Sequence, residues 1–130
     1  MLFERASGIL LHPTSLPGPH GIGEIGAEAL RWLEELRAMG QGLWQVLPLG
    51  PTGFGDSPYQ SPSSFAGAPQ LLSLATLRDE GLLAADELAP LHDLPRTRAD
   101  FARAVPQREA LLRRAARRLA QSATPAAQAE

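Results

Sequence analysis

The sequence predicts an α/β fold that begins with a parallel strand–helix–strand unit, and two observations carry this prediction. Two apolar runs, 7–11 and 43–49, have the length and composition of short buried strands. The stretch between them, 24–40, spaces its apolar residues as on one face of a helix. A helix that joins two apolar strands forms a βαβ unit, in which the strands are parallel.

The first helix is predicted from its apolar face and from both of its ends. Glu24 and Glu28 lie near its start, where the helix dipole favours negative charge, and Gly40 suits a helix stop. Pro48 is expected at the end of the second strand, because proline has no N–H to donate to a sheet. The residues expected to face the sheet are Ile25, Ala29, Trp32, Leu33 and Leu36.

The rest of the chain is predicted to be mostly helical. Residues 71–74 suit a short strand or turn, and short helices are expected near 76–80 and 86–91, with Gly81 between them. Pro90 and Pro95 should close this region. A longer helix is predicted from about 100 to 121, with its main part beginning near Pro106. Its buried face should be Phe101, Val105, Leu112, Ala115 and Leu119, with the arginines mostly elsewhere.

The composition is that of one modest globular domain. The 130 residues are 44% hydrophobic and 20% charged, with a net charge of −2. This weak charge favours neither nucleic acid nor a membrane surface, and no apolar run approaches the roughly 20 residues of a membrane span. Because the chain has no cysteine, disulfides and thiolate catalysis are excluded. We expect a cytoplasmic protein without a metal or cofactor, and the oligomeric state is not predicted.

Three motifs suggest chemistry that their surroundings disfavour. Gly21, Gly23 and Gly26 match the G-x-G-x-x-G pattern of dinucleotide-binding turns, but about nine residues separate them from the strand, where that turn is tight. His12 and Ser15 could belong to a nucleophile triad, but Ser15 lies in no nucleophile elbow. The arginine-rich stretch 110–119 could contact phosphates, but the weak overall charge favours a solvated helix face.

One loop remains as a candidate site, the Tyr59 loop (residues 50–69, GPTGFGDSPYQSPSSFAGAP). Its prolines and glycines exclude a helix interior or a central strand. Composition alone leaves it equally a stiff surface loop or a ligand platform on which an aromatic ring stacks against a sugar. Because the loop follows the carboxyl end of a parallel strand, where α/β folds place ligands, its position favours the platform.

Two long motifs resemble a known family. GILLHPTSLPGPHGIGEIG and WQVLPLGPTGFGDSPYQSPSSFAG are similar to the opening of the 4-alpha-glucanotransferases called amylomaltases or disproportionating enzymes. The later stretch FARAVPQREALLRRA also resembles a helical segment of that family. The resemblance implies a (β/α)8 barrel of the alpha-amylase clan that transfers α-1,4-glucans between maltooligosaccharides by a retaining mechanism.

The resemblance also implies roles for residues of the Tyr59 loop. Tyr59 matches a tyrosine of the active-site cleft, and Ser57 and Asp56 belong to the same donor-side wall. Phe54 falls where some members carry a tyrosine that stacks on glucan at a secondary site. These side chains are the expected substrate-binding residues.

The length of the chain limits what the resemblance implies. An eight-stranded barrel takes about 250 residues, so residues 1–74 are expected to form its first two strands and first helix. Residues 75–121 are then part of an inserted helical segment, and 122–130 a frayed tail. The family's catalytic carboxylates match no residue here. We therefore expect an N-terminal fragment that is inactive alone, or else a non-catalytic glucan-binding or interaction fragment.

Overall fold

The computed structural model describes residues 5–122, apart from the side chain of Phe54. Its helices and strands, in chain order, are β1 (Gly8–Leu10), α1 (Ala27–Ala38), β2 (Leu43–Gln45), α2 (Leu74–Asp79) and α3 (Phe101–Ser122). Short 3-10 turns lie at Pro13–Ser15, Phe54–Asp56, Pro69–Leu71 and Asp86–Asp93. No helix within this described range is long and apolar enough to cross a membrane.

The predicted parallel pairing of the two strands is confirmed. Ile9 lies opposite Trp44 in the register of β1 and β2, and the Trp44 indole donates a 2.7 Å hydrogen bond to the Leu11 carbonyl. The expected extension of β2 to residue 49 is wrong. Beyond Leu11 the chain enters the 3-10 turn at Pro13–Ser15, so β1 does not continue alongside residues 46–49.

Helix α1 ends as predicted, but its sheet-facing side is only partly covered. Gly40 has a positive φ of 70°, and its N–H donates to the Arg37 carbonyl while that of Gln41 donates to Leu36. This is the Schellman arrangement that satisfies the last carbonyls of a helix. Of the predicted face, Ala29 and Leu36 are 4% exposed, whereas Ile25 and Leu33 are 54% and 46% exposed.

The hydrophobic core lies between α2, the 3-10 turn at Asp86–Asp93, and α3. Leu74, Leu88 and Leu91 are at most 2% exposed. The predicted closing of this region at Pro90 is wrong, because Pro90 lies inside the 3-10 turn. The other buried apolar members of the core are Ile22, Leu83, Leu94, Ala104, Leu111, Leu112 and Ala115.

The start and the buried face of α3 differ from the prediction. The Asp100 side chain accepts a hydrogen bond from the Arg103 N–H, so it caps a helix that begins well before Pro106. Pro106 lies inside the helix with its ring on the exposed side. Leu119, predicted to be buried, is 54% exposed. The buried face consists of Ala104, Arg108, Leu111, Leu112 and Ala115.

This face is set by a charged residue that we predicted to lie elsewhere. Arg108 is fully buried because its polar partners lie on the segments that α3 packs against. The expected domain boundary near residue 74 stays a prediction. Of the expected frayed tail, Ser122 is the last residue of α3 and the remainder lies outside the described residues.

Candidate functional site

The Tyr59 loop leaves the carboxyl edge of the two-stranded sheet and returns to it. Its closing hydrogen bond joins the Ala68 N–H to the Leu49 carbonyl at 2.8 Å. Between these points the loop packs on itself, since a Cβ at Gly53 would lie 2.4 Å from the Gln60 carbonyl oxygen. Asp56 has a positive φ of 53°, which few residues other than glycine, asparagine and aspartate adopt. The loop therefore has a specific backbone path.

The structure places the predicted substrate-binding residues around two neighbouring depressions. Tyr59 is 73% exposed and lines a shallow groove of about 570 Å³. Asp56 is exposed and lines a smaller cavity of about 220 Å³. Gly50 and Pro58 lie on the wall between the two. Ser57 is half-buried and lines neither one, and the side chain of Phe54 lies outside the described residues.

The shallow groove combines aromatic rings with hydroxyl groups. Tyr59 and Phe65 line it together with Ser61, Ser63 and Ser64. Phe65 is fully exposed, and its role was not predicted from the sequence. Its position in the loop, after a run of serines, was visible, but no spacing rule distinguishes it from a packing residue. Aromatic faces beside hydroxyls suit a polyhydroxylated ligand, because the ring contacts C–H groups and the hydroxyls hydrogen-bond.

The smaller cavity lies between the strand ends and α3. Phe101 and Val105 of α3 form one wall, and Leu47, Gln70 and Asp56 contribute to the others. Its lining is mostly apolar. Because α3 reaches this cavity, the long helix is part of the candidate site and not only part of the core.

His12 follows β1 and faces this cavity, but its contacts do not form a triad. Its Nδ1 lies 2.7 Å from the Thr14 hydroxyl, and the Thr14 N–H also points to it. Nε2 is buried without a hydrogen-bond partner within residues 5–122. Burial lowers the pKa of His12, and the backbone of Pro48 partly opposes this shift. A neutral histidine fixed by its own turn acts as a wall of the cavity.

The glycines of the G-x-G-x-x-G pattern are explained by close packing. A Cβ at Gly23 would lie 2.1 Å from the Pro13 carbonyl oxygen, and one at Gly26 would lie 2.7 Å from the Ser73 hydroxyl. Gly21 has a φ of 78° and packs against Leu94. These glycines therefore allow close packing of the chain, as the sequence favoured, and do not indicate a nucleotide-binding turn.

A buried polar network lies behind the Tyr59 loop. The carboxylate of Glu24 accepts hydrogen bonds from Arg108 at 2.9 Å and from the Ser73 hydroxyl at 2.8 Å. His20, which is 3% exposed, lies 3.4 Å from the same carboxylate. Arg108 also donates to the backbone carbonyls of Gln70 and Leu72. Within the described part of the chain, no group of three or more His, Asp or Glu side chains is arranged to hold a metal.

Burial alone would raise the pKa of the Glu24 carboxyl. The hydrogen bond from His20, the charge of Arg108 and the Ser73 hydroxyl outweigh this and lower the pKa to about 2. Sequence reasoning missed this network. The signal was the spacing of Arg108 with Ala104, Leu111 and Ala115, which places the arginine on the apolar stripe of its helix.

The fold and the loop together define an α/β protein with an aromatic, hydroxyl-rich loop at the carboxyl edge of parallel strands. Comparison with known proteins is more specific. A family model described as 4-alpha-glucanotransferase matches residues 11–130. The chain belongs to the 4-alpha-glucanotransferase family, and the resemblance predicted from its motifs is confirmed.

Individual relatives agree with this assignment. The chain is 50% identical over 101 residues to a 4-alpha-glucanotransferase of Thermus thermophilus, a match that covers 78% of this chain and 19% of the relative. It is 44% identical over 115 residues to one of Synechocystis, covering 88% of this chain and 23% of the relative.

A solved structure also matches, the amylomaltase from Streptococcus agalactiae in complex with acarbose. It has a TM-score of 0.79 and 37% sequence identity, and the match covers 91% of this chain and 24% of that one. The chain thus spans about a fifth to a quarter of the length of these relatives.

Proposed function

We propose that the chain is the N-terminal part of a 4-alpha-glucanotransferase that transfers α-1,4-glucan segments between maltooligosaccharides. The observation that carries this proposal is the exposed ring of Tyr59 beside a hydroxyl-lined groove at the carboxyl edge of parallel strands. In α/β folds this edge is where ligands bind. The names of the relatives, and the acarbose bound by the Streptococcus agalactiae amylomaltase, support a glucan as the ligand.

In this proposal the Tyr59 loop is part of the donor-side wall of the glucan cleft. Tyr59 stacks on a glucose ring and its hydroxyl gives one directed hydrogen bond. Asp56 extends the wall into the smaller cavity, and Ser57 follows it in the loop. Phe54 keeps the role that the resemblance implies, contact with glucan at a secondary site. The closed, self-packed backbone of the loop lowers the entropy that ordering would cost on binding.

The chemistry itself is assigned to other segments of the enzyme. A retaining transferase needs two carboxyl groups about 5 Å apart, one as nucleophile and one as acid and base. Among the described residues, Asp56 is the only acidic side chain that lines either depression. Residues 1–74 then supply the first strands and helix of a (β/α)8 barrel, and 75–121 belong to an inserted helical segment.

The proposal is tested by restoring the missing segments. The chain is joined in frame to the remainder of the Thermus thermophilus relative, and transfer is measured from maltotriose. Tyr59→Ala should lower kcat/KM at least about tenfold, or about 1.4 kcal/mol. Tyr59→Phe, the matched control, should retain most of the rate, because it keeps the stacking face. An unchanged rate in Tyr59→Ala would assign Tyr59 to packing alone.

A second candidate function is glucan binding without transfer, favoured by the lack of a carboxylate pair among the described lining residues. We expect the 130-residue chain alone to bind maltoheptaose and to leave maltotriose unchanged. Formation of glucose and longer maltodextrins from maltotriose by the purified chain would contradict this expectation.

A further inference from the structure

The side chain of Arg108 joins three segments that are far apart in sequence. It is fully buried, and its Nη1 donates to the Glu24 carboxylate, 84 positions away, at 2.9 Å. Its Nη2 donates to the carbonyl of Gln70 at 2.7 Å and to that of Leu72 at 2.8 Å. The guanidinium therefore bonds directly to the backbone that immediately follows the Tyr59 loop.

The two ends of the Tyr59 loop are held by different parts of the fold. The leading end continues from β2, whereas the returning end runs through the 3-10 turn at Pro69–Leu71. Besides the packing of the buried Leu71, this turn makes few other hydrogen bonds to neighbouring segments: the Ala68 N–H bonds to Leu49, and the Leu71 carbonyl accepts from Ile25 at 2.8 Å. Arg108 supplies two further bonds, and both go to backbone carbonyls that a side-chain substitution in the turn cannot remove.

The same turn forms part of the candidate site. Gln70 and Leu71 line the smaller cavity together with Asp56 and Pro58. Pro58 immediately precedes Tyr59 and also lines the groove. A shift of the turn would therefore change the cavity wall and the part of the loop that carries the aromatic ring.

The planar guanidinium is well suited to this task. Its donors form a rigid fork that can reach a carboxylate on one side and carbonyls on the other. A lysine ammonium is a compact charge that could keep the bond to Glu24 but could not reproduce the whole arrangement. Glu24 is itself fixed by the Ser73 hydroxyl, which caps α2, so the fork has a defined orientation.

We propose that Arg108 is a positioning residue for glucan binding: by holding the carbonyls of Gln70 and Leu72 it fixes the returning end of the Tyr59 loop. It touches no ligand in this scheme and acts through the backbone. The inference rests on the proposed function and deepens it, since it assigns the precision of the Tyr59 platform to a residue of α3.

Hydrogen exchange of the 130-residue chain tests the anchoring directly. Arg108→Lys should speed exchange of the Ala68, Leu71 and Leu72 amides by at least about tenfold, because the turn opens locally more often. The amides of Leu82 and Leu83, which bond to Leu77 at the end of α2, should change less than about threefold. Equal acceleration of both sets, or none at the turn, would overturn the proposal.

A matched control lies on the same helix. Arg113 is 70% exposed and pairs with Glu109, so Arg113→Lys makes the same chemical change without touching the turn. It should leave both sets of amides unchanged. If Arg108→Lys does not fold, Glu24→Gln provides the second variant, because it removes the charge that orients the guanidinium while keeping its shape. It should loosen the same three amides by a smaller factor.

Affinity for maltoheptaose, measured by NMR titration, links the anchor to the site. If the turn of Arg108→Lys is in place about a fifth of the time, the Kd should rise about fivefold. A loosened turn with an unchanged Kd would overturn the positioning role. Failure of the proposed function looks different: the wild-type chain does not bind maltoheptaose, or Tyr59→Ala binds equally well. The exchange result alone then decides whether Arg108 holds the loop.

Discussion

The helical unit (residues 70–122) and the strand unit (β1, α1 and β2) are both rich in leucine, but they differ in what covers those leucines. In the helical unit Leu74 and Leu91 are at most 1% exposed. In the strand unit Leu10, Leu43 and Leu30 are 53%, 58% and 65% exposed. A strand or helix buries an apolar face only when another surface lies against it, and two strands with one helix cannot cover both faces of a sheet. The difference indicates that the helical unit has its packing partners within the described chain, whereas the strand unit is left largely uncovered there.

The largest expected effect is a contrast between two identical substitutions. Leu91→Ala removes a fully buried side chain and should cost about 2–5 kcal/mol of unfolding free energy. Leu43→Ala, in the exposed strand, should cost at most about 1 kcal/mol. Urea denaturation followed by circular dichroism measures both.

The chain provides a second probe for the same contrast. Its two tryptophans, Trp32 and Trp44, both lie in the strand unit, whereas most helical signal comes from the helical unit. Leu91→Ala should shift the circular-dichroism transition more than the tryptophan-fluorescence transition. Equal costs for the two substitutions would mean that a further surface, such as a second copy of the chain, covers the strand unit in solution.

The next effect concerns the polar network that joins Glu24, just before α1, to the helical unit. The pKa of Glu24 in the fold is about 2, below the ordinary 4.5, so its ionised form stabilises the fold above about pH 4.5 and this contribution is lost as the pH falls toward 2. The full contribution should be about 3 kcal/mol, of which about 2 kcal/mol is lost between pH 6 and pH 3. Urea denaturation should show that the free energy of unfolding of the wild type exceeds that of Glu24→Gln at pH 6. This difference should be smaller at pH 3. A constant difference would exclude Glu24 as its source.

The smallest effect compares equivalent helix ends. Gly40 ends α1 and Gly81 ends α2, with φ of 70° and 76° and open space around each missing Cβ. Alanine at either position should cost about 1 kcal/mol, because only the backbone conformation resists it. Gly81→Ala should shift the circular-dichroism midpoint. Gly40→Ala should shift only the fluorescence midpoint if the strand unit unfolds separately, and both midpoints if the chain unfolds as one.

The sequence predicted local structure well where neighbouring residues decide it. Gly40 and Gly81 marked helix ends, and the spacing of apolar runs predicted the parallel strands. The prediction failed where a residue far away in the sequence determines the structure. The strand at 43–49 was predicted too long because its neighbour turns away at Pro13. The buried face of α3 was predicted wrongly because Arg108 finds its partners 36 to 84 positions earlier in the chain.

For the candidate site too, features set by neighbouring residues could be predicted, and features set by distant residues could not. The Tyr59 loop was found from its composition and from its position after a strand. Its division into two depressions, and the contribution of Phe101 and Val105 to one of them, depend on how α3 packs. No local pattern contains that information, since Leu71 and Phe101, on different parts of the cavity wall, are about 30 positions apart in the chain.

The span of the Glu24–Arg108 pair has a consequence for the order of folding. The core of α2, the 3-10 turn and α3 brings together residues that are close in sequence, whereas this pair must close a loop of 84 positions. Long-range contacts are entropically costly to form and tend to appear late. We expect Arg108→Lys to speed unfolding with little effect on the folding rate, measured by stopped-flow fluorescence over a range of urea concentrations. The last contact to form would then be the one that we propose holds the returning end of the Tyr59 loop.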